Sequence, residues 1–104
     1  MRKVTRNDIN TNNMVAFSYC QCQMVLDLFA SEYKVGYNAG VYGWNYDLYE
    51  INGVDIITGY RVPYKNFENK EVKRALIALE NELRKTFDYS KYEDYKKRFL
   101  EIFK

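Results

Sequence analysis

The stretch "GVYGWNYDLYEINGVDIITGYR", residues 40–61, decides how this chain folds. It holds the only Trp, together with Tyr42, Tyr46, Tyr49 and Tyr60, and it is punctuated by Gly. At its centre stands Asn52–Gly53. A two-residue hairpin turn of type I′ needs positive φ at both central positions, which Asn and Gly tolerate best. The flanking segments alternate, so the stretch reads as a β-hairpin. A two-residue loop pairs Ile51 with Val54, Tyr49 with Ile56, Leu48 with Ile57, Tyr46 with Gly59 and Trp44 with Arg61. One face then carries Trp44, Tyr46, Leu48 and Ile57, which reads as core. The other carries Tyr49, Ile51, Val54 and Ile56 near the turn, with Asn45, Asp47, Thr58 and Tyr60 at the open end. Gly59 opposite Tyr46 leaves room for the ring to lie across the neighbouring strand.

Working outward, "VGYNAGVY" is short and β-compatible, giving a third strand near 35–42. Upstream, Tyr19, Cys22, Val25, Leu26 and Phe29 follow a spacing of three and four. That spacing predicts a helix over 19–33 with Ser18 as its cap. Residues 1–13 are polar and read as an arm or loop, with Thr5 and Asp8 at capping-box spacing. Downstream, Val72, Ala75, Leu76, Leu79 and Leu83 form a helical stripe that Phe87 continues, capped by Asn66 or Asn69. Ser90 and Glu93 then restart a helix with Tyr92, Tyr95, Phe99 and Ile102 on one side. The expectation is a single α+β domain. A helix and a three-stranded antiparallel meander occupy 14–64, and two C-terminal helices over 65–104 cover one sheet face. A three-stranded sheet leaves edges, so a homodimer through an edge is an open expectation.

The chain has 104 residues and a formal net charge of +2. Residues 1–13 carry three basic groups and one acid (+2), residues 14–64 two and five (−3), and residues 65–104 eleven and eight (+3). A charged partner is expected to meet one face rather than the whole surface. The first thirteen residues lead into no apolar run of the secretory kind, and no segment reads as a membrane span. A cytosolic chain without membrane contact is the expectation. Cys20 and Cys22 are expected to be reduced and packed, as suits that compartment.

There is no His, which removes His-based acid–base catalysis, nucleophile–His pairs and His metal ligation. Two Cys without His make no closed zinc site. "GVYGWN" lacks the Lys and helix start of a phosphate loop. Among the acids, Glu50 faces Asp55 across the turn, a pairing that reads as a solvated turn rather than an acid pair for catalysis. No catalytic residue, metal or cofactor is therefore expected. Trp44 beside Arg61 reads either as a packing pair or as a place to stack a base or grip a phosphate. With Asn45, Asp47 and Tyr60 it forms a candidate partner-binding region, because Trp, Tyr and Arg dominate binding energy at interfaces. The alternative is nucleic-acid contact through Lys73, Arg74, Lys96, Lys97 and Arg98 on the C-terminal helices. A further reading has a nucleotide held between Tyr rings.

The segments "GVYGWN", "DLYEINGV" and "TGYR", with "SYCQCQ" upstream, resemble a group of small proteins carried by phages and other mobile elements of Gram-positive bacteria. The resemblance covers roughly residues 14–62. It implies a setting: such proteins often inhibit a host defence protein, anti-CRISPR proteins among them, by stoichiometric binding. A host defence protein in the bacterial cytosol, such as a CRISPR nuclease, is the implied partner. The net charge of +2 departs from the strong acidity of DNA mimics, so steric or allosteric blocking is the implied mode.

Overall fold

The computed structural model describes residues 1–39, 45–60 and 65–104. In chain order the strands are β1 (Arg2–Lys3), β2 (Met14–Ser18), β3 (Lys34–Ala39), β4 (Asn45–Ile51) and β5 (Val54–Gly59). The helices are α1 (Gln23–Phe29), α2 (Lys70–Lys85) and α3 (Tyr92–Glu101). The architecture is α+β, as expected, but the sheet is mixed and has five strands in the order β1-β3-β4-β5-β2. The β3–β4–β5 meander is antiparallel. To it are added β1, parallel to β3, and β2, parallel to β5. The edges on which the dimer expectation relied, those of β3 and β5, are thus occupied.

The hairpin has the expected register. Ile51 pairs with Val54, Tyr49 with Ile56, Leu48 with Ile57 and Tyr46 with Gly59. Asn52 and Gly53 take φ of 49° and 82°, as a type I′ turn requires. Gly59 also lets the two backbones approach: a Cβ there would stand 2.0 Å from the Asn45 carbonyl oxygen. The Trp44–Arg61 pair lies outside the described residues, as do the end of the expected third strand and Tyr42.

Both faces of the meander are buried, each under its own cover. Tyr49, Ile51, Val54 and Ile56 join Val15 and Phe17 of β2 beneath the three helices, which supply Val25, Leu26, Phe29, Val72, Leu76, Leu79, Leu83, Tyr95 and Phe99. Tyr46, Leu48 and Ile57 face the other way, onto Val4, Ile9, Met14 and Ala16. The helices therefore cover the face expected to be mixed, and the face expected as main core is closed by the N-terminal segment. That segment is no polar arm. The Val4 N–H donates to the Tyr37 carbonyl at 2.7 Å, and Val4 and Ile9 are buried. Thr5 and Asp8 do interact, with the Asp8 carboxylate accepting from the Thr5 N–H at 2.7 Å.

The predicted helix over 19–33 is shorter in the structure. Residues 14–18 are strand, and α1 begins only at Gln23. Its N-cap is Cys22 in the left-handed region, and no N-cap side chain caps it. Four N–H groups at a helix start need partners. Glu80, from α2, supplies one: its Oε1 accepts from the Val25 N–H at 2.8 Å, while Oε2 meets Arg84 Nε at 2.6 Å. Glu80 is 3% exposed, a buried carboxylate. A second acid plays a similar role at the β2 edge. Glu68 Oε1 accepts from the Ala16 N–H at 2.9 Å, and the Asn69 N–H donates to the Met14 carbonyl at 2.6 Å. Asn69 also caps α2 as expected, accepting from the Val72 N–H at 3.1 Å. Ser90 does not cap α3; Asp88 instead caps the short 3-10 turn before it.

Asp55 departs from its expected role as well. It does pair with Glu50 in the register, but it is buried and accepts from the Asn10 N–H. Burial pushes its carboxyl above the ordinary value of 3.8, against the lowering effect of that hydrogen bond.

Two stability predictions follow from these carboxylates. Glu80→Ala is expected to cost about 2–3 kcal/mol in urea unfolding, because it strands the Val25 N–H. Glu80→Gln, which keeps an oxygen for that N–H, is expected to cost less. At Asp55 the raised folded value means that its contribution to stability is present in acid. That contribution is lost as pH rises from the ordinary carboxylate value through the folded one. Asp55→Asn is therefore expected to melt above the wild type at neutral pH, an advantage that shrinks as pH falls through the raised folded value and is gone below about pH 4. An unchanged difference across a calorimetric pH series would count against this assignment.

Candidate functional site

The ladder rows of the sheet show where its helical cover stops. Val15, Ile56 and Tyr49 form one row, opposite Lys34 on β3, and belong to the helix-covered core. The next row on the same face is Phe17, Thr58, Asp47 and Tyr37. Only Phe17 of these four belongs to the buried apolar core. Asp47, Tyr37, Asn45 and Tyr60 line an open cleft of about 270 Å³ with Tyr19 and Thr58.

One wall is a pair of rings. Tyr19 and Tyr60 stack at 4.7 Å between centroids with 16° between planes. The chain leaves β2 at Ser18, and the Tyr19 N–H donates to the Gly59 carbonyl at 2.8 Å, which sets the two rings side by side. They remain 57% and 70% exposed. A slot for a nucleotide base would need roughly twice the 3.5–4.0 Å contact separation of carbon atoms. The ring-to-ring distance of 4.7 Å closes that slot.

The floor is polar. Lys34 Nζ lies 3.2 Å from Asp47 Oδ1, with 26% and 40% of the two side chains exposed. Asp47 Oδ2 makes no hydrogen bond among the described residues. Thr58 is 6% exposed, and among the described residues its hydroxyl is the one buried side-chain polar atom without a partner. An unsatisfied buried hydroxyl costs free energy in the isolated protein. Behind the floor, burial first, and then the negative charges of Asp47 and Asp27, push the Tyr49 hydroxyl up to about 12. That phenol stays neutral at physiological pH.

Of the expected partner-binding residues, Asn45, Asp47 and Tyr60 come together in this cleft. Trp44 and Arg61 lie outside the described residues. Tyr19 was placed by its spacing on the apolar face of a helix and is instead the exposed partner of Tyr60. Tyr37 and Lys34 reach the site through the β3–β4 register, which is irregular between Lys34 and Gly36. No local pattern specifies that shift. Thr58 was legible on the polar end of the hairpin, but its missing partner was not.

The alternative basic set is dispersed. Lys73 is taken by Glu68 at 3.0 Å and sits over the Phe17 ring, 5.7 Å from its centroid. Arg98 pairs with Glu82. Arg74 and Lys97 are exposed and Lys96 is half-buried. No group of three or more His, Cys, Asp or Glu among the described residues could hold a metal ion. None of the described helices is long and apolar enough to cross a membrane.

The cysteines are not both packed. They lie in the turn before α1, where both take positive φ; Cys20 is exposed and Cys22 buried. Burial, reinforced by the nearby Glu80, pushes the Cys22 thiol up to about 12. A thiol reagent at neutral pH is therefore expected to label one cysteine, Cys20, in the folded protein and both after denaturation. Rapid labelling of both in the folded state would contradict this placement.

The chain matches no protein-family model, no curated protein and no solved structure.

Proposed function

We propose that this chain is a non-catalytic binding protein of a phage or other mobile element, and that it inhibits a bacterial defence protein by steric or allosteric block. The setting rests on the resemblance of the "GVYGWN" and "TGYR" segments, and the host cytosol is its place of action. One observation carries the binding surface: at the open end of the sheet the helical layer stops and three tyrosines stand exposed around Asn45, Asp47 and Thr58. Tyr rings offer large contact area at low cost in side-chain entropy, which is why they anchor interfaces. The site is held on paired strands, so the surface is set before a partner arrives.

Nucleic-acid binding through Arg74, Lys96 and Lys97 is the second reading. It is favoured only by the exposure of Arg74 and Lys97, since Lys73 and Arg98 are already paired with acids.

The test is capture from a Gram-positive lysate with and without nuclease treatment, read by mass spectrometry. The wild type is expected to retain one dominant protein irrespective of nuclease. Tyr60→Ala and Asp47→Lys are each expected to cost about 2 kcal/mol of binding, with unchanged melting curves. Recovery that collapses with nuclease, together with steep loss of affinity in salt, would move the function to the basic helices.

A further inference from the structure

We infer that the cleft at the open end of the sheet seats a single arginine side chain of a protein partner. This inference deepens the binding reading of the same cleft and names the group it takes.

Among the described residues, Asp47, Thr58 and Asn45 each bring an acceptor oxygen to the cleft. Asp47 Oδ2 can only accept, and it makes no hydrogen bond among the described residues. Thr58 Oγ1 is buried without a partner, and a hydroxyl accepts as well as donates. The Asn45 amide stands at the same open end and offers an oxygen. Guanidinium is the side-chain group that brings several donors and no acceptor, in a planar fork. Asp47 and Thr58 are directly opposed across β4 and β5. Opposed side chains stand about 5 Å apart at Cβ, a span that divergent guanidinium N–H groups can bridge. The exposed ring faces of Tyr19, Tyr37 and Tyr60 supply the aromatic surface on which a guanidinium stacks.

Size and charge agree with this occupant. A cleft of about 270 Å³ has room for one side chain. Residues 14–64 carry a net charge of −3, and Asp27 and Asp47 both act on the Tyr49 hydroxyl behind the floor. An anion would meet Asp47, while Lys34, the one cation among the described residues of the cleft, is already held by Asp47 Oδ1. A lysine would duplicate Lys34 as a point charge and would not span Asp47 and Thr58.

The probe is N-acetyl-L-arginine methylamide, titrated into the isotope-labelled protein and followed by amide NMR shifts, with the lysine analogue and adenosine monophosphate as comparison arms. Saturable shifts confined to Asn45, Asp47, Thr58 and their neighbours are expected with the arginine analogue only. Asp47→Asn is expected to weaken that binding about tenfold. Thr58→Val is expected to weaken it about threefold while raising the melting temperature, because it removes the unsatisfied hydroxyl. A purely structural threonine would change melting without changing affinity. Equal response to the lysine analogue, saturation by the nucleotide instead, or wild-type affinity in Asp47→Asn would each overturn the inference. Arginine binding that survives while partner capture ignores Tyr60→Ala would leave this site standing and remove the proposed inhibitory surface.

Discussion

The Asn52–Gly53 turn fixes which side chains of β4 and β5 share a face, and both layers of the molecule are built on that sorting. With a side-chain period of two, a slip of one residue would exchange the faces of an entire strand. The turn prevents this because only residues at ease with positive φ close a two-residue loop with the right twist. Asn52 is further tied down by a hydrogen bond from its amide to the Phe103 carbonyl, so the C-terminal end of the chain rests on the turn. Once the faces are set, Tyr49, Ile51, Val54 and Ile56 require one cover and Tyr46, Leu48 and Ile57 require another.

Those two covers come from opposite ends of the chain, and buried polar groups join them to the sheet. Glu80 and Glu68 complete backbone hydrogen bonding at a helix start and at a strand edge. Asp55 holds the N-terminal loop through the Asn10 N–H. Each carboxylate satisfies a backbone donor that the local sequence leaves without a partner, which is the condition for burying it. The β2 edge is closed in the same way, which blunts a row of groups that would otherwise invite another strand.

The same arrangement leaves one place unfinished. Along the helix-covered face, the row through Ile56 is sealed and the row through Thr58 is not. Among the described residues, Thr58 stays buried with its hydroxyl unmatched and Asp47 Oδ2 makes no hydrogen bond, while the Tyr19–Tyr60 stack stands in solvent. Violations of polar satisfaction that persist in an otherwise well-matched fold are expected where a protein binds something.

The sequence by itself determined the local structure. The hairpin and its register, the stripes of α2 and α3 and the Asn69 cap were legible because turn chemistry and periodicity act over a few residues. So was the grouping of Asn45, Asp47 and Tyr60 at the open end of the hairpin. Tertiary structure alone decided the rest. The strand at 14–18 and the burial of Val4 and Ile9 depend on parallel pairings with β5 and β3 that no turn announces. The helix near 19–33 lost its first turn because the Tyr19 N–H is bonded to the Gly59 carbonyl and Cys20 and Cys22 take positive φ in the turn that follows. The roles of Glu80, Glu68 and Asp55 carried no local signal because their backbone partners lie 55, 52 and 45 residues away. Tyr19 and Tyr37 joined the cleft for the same reason: pairings distant in sequence carry no local pattern, and only the assembled sheet places their rings.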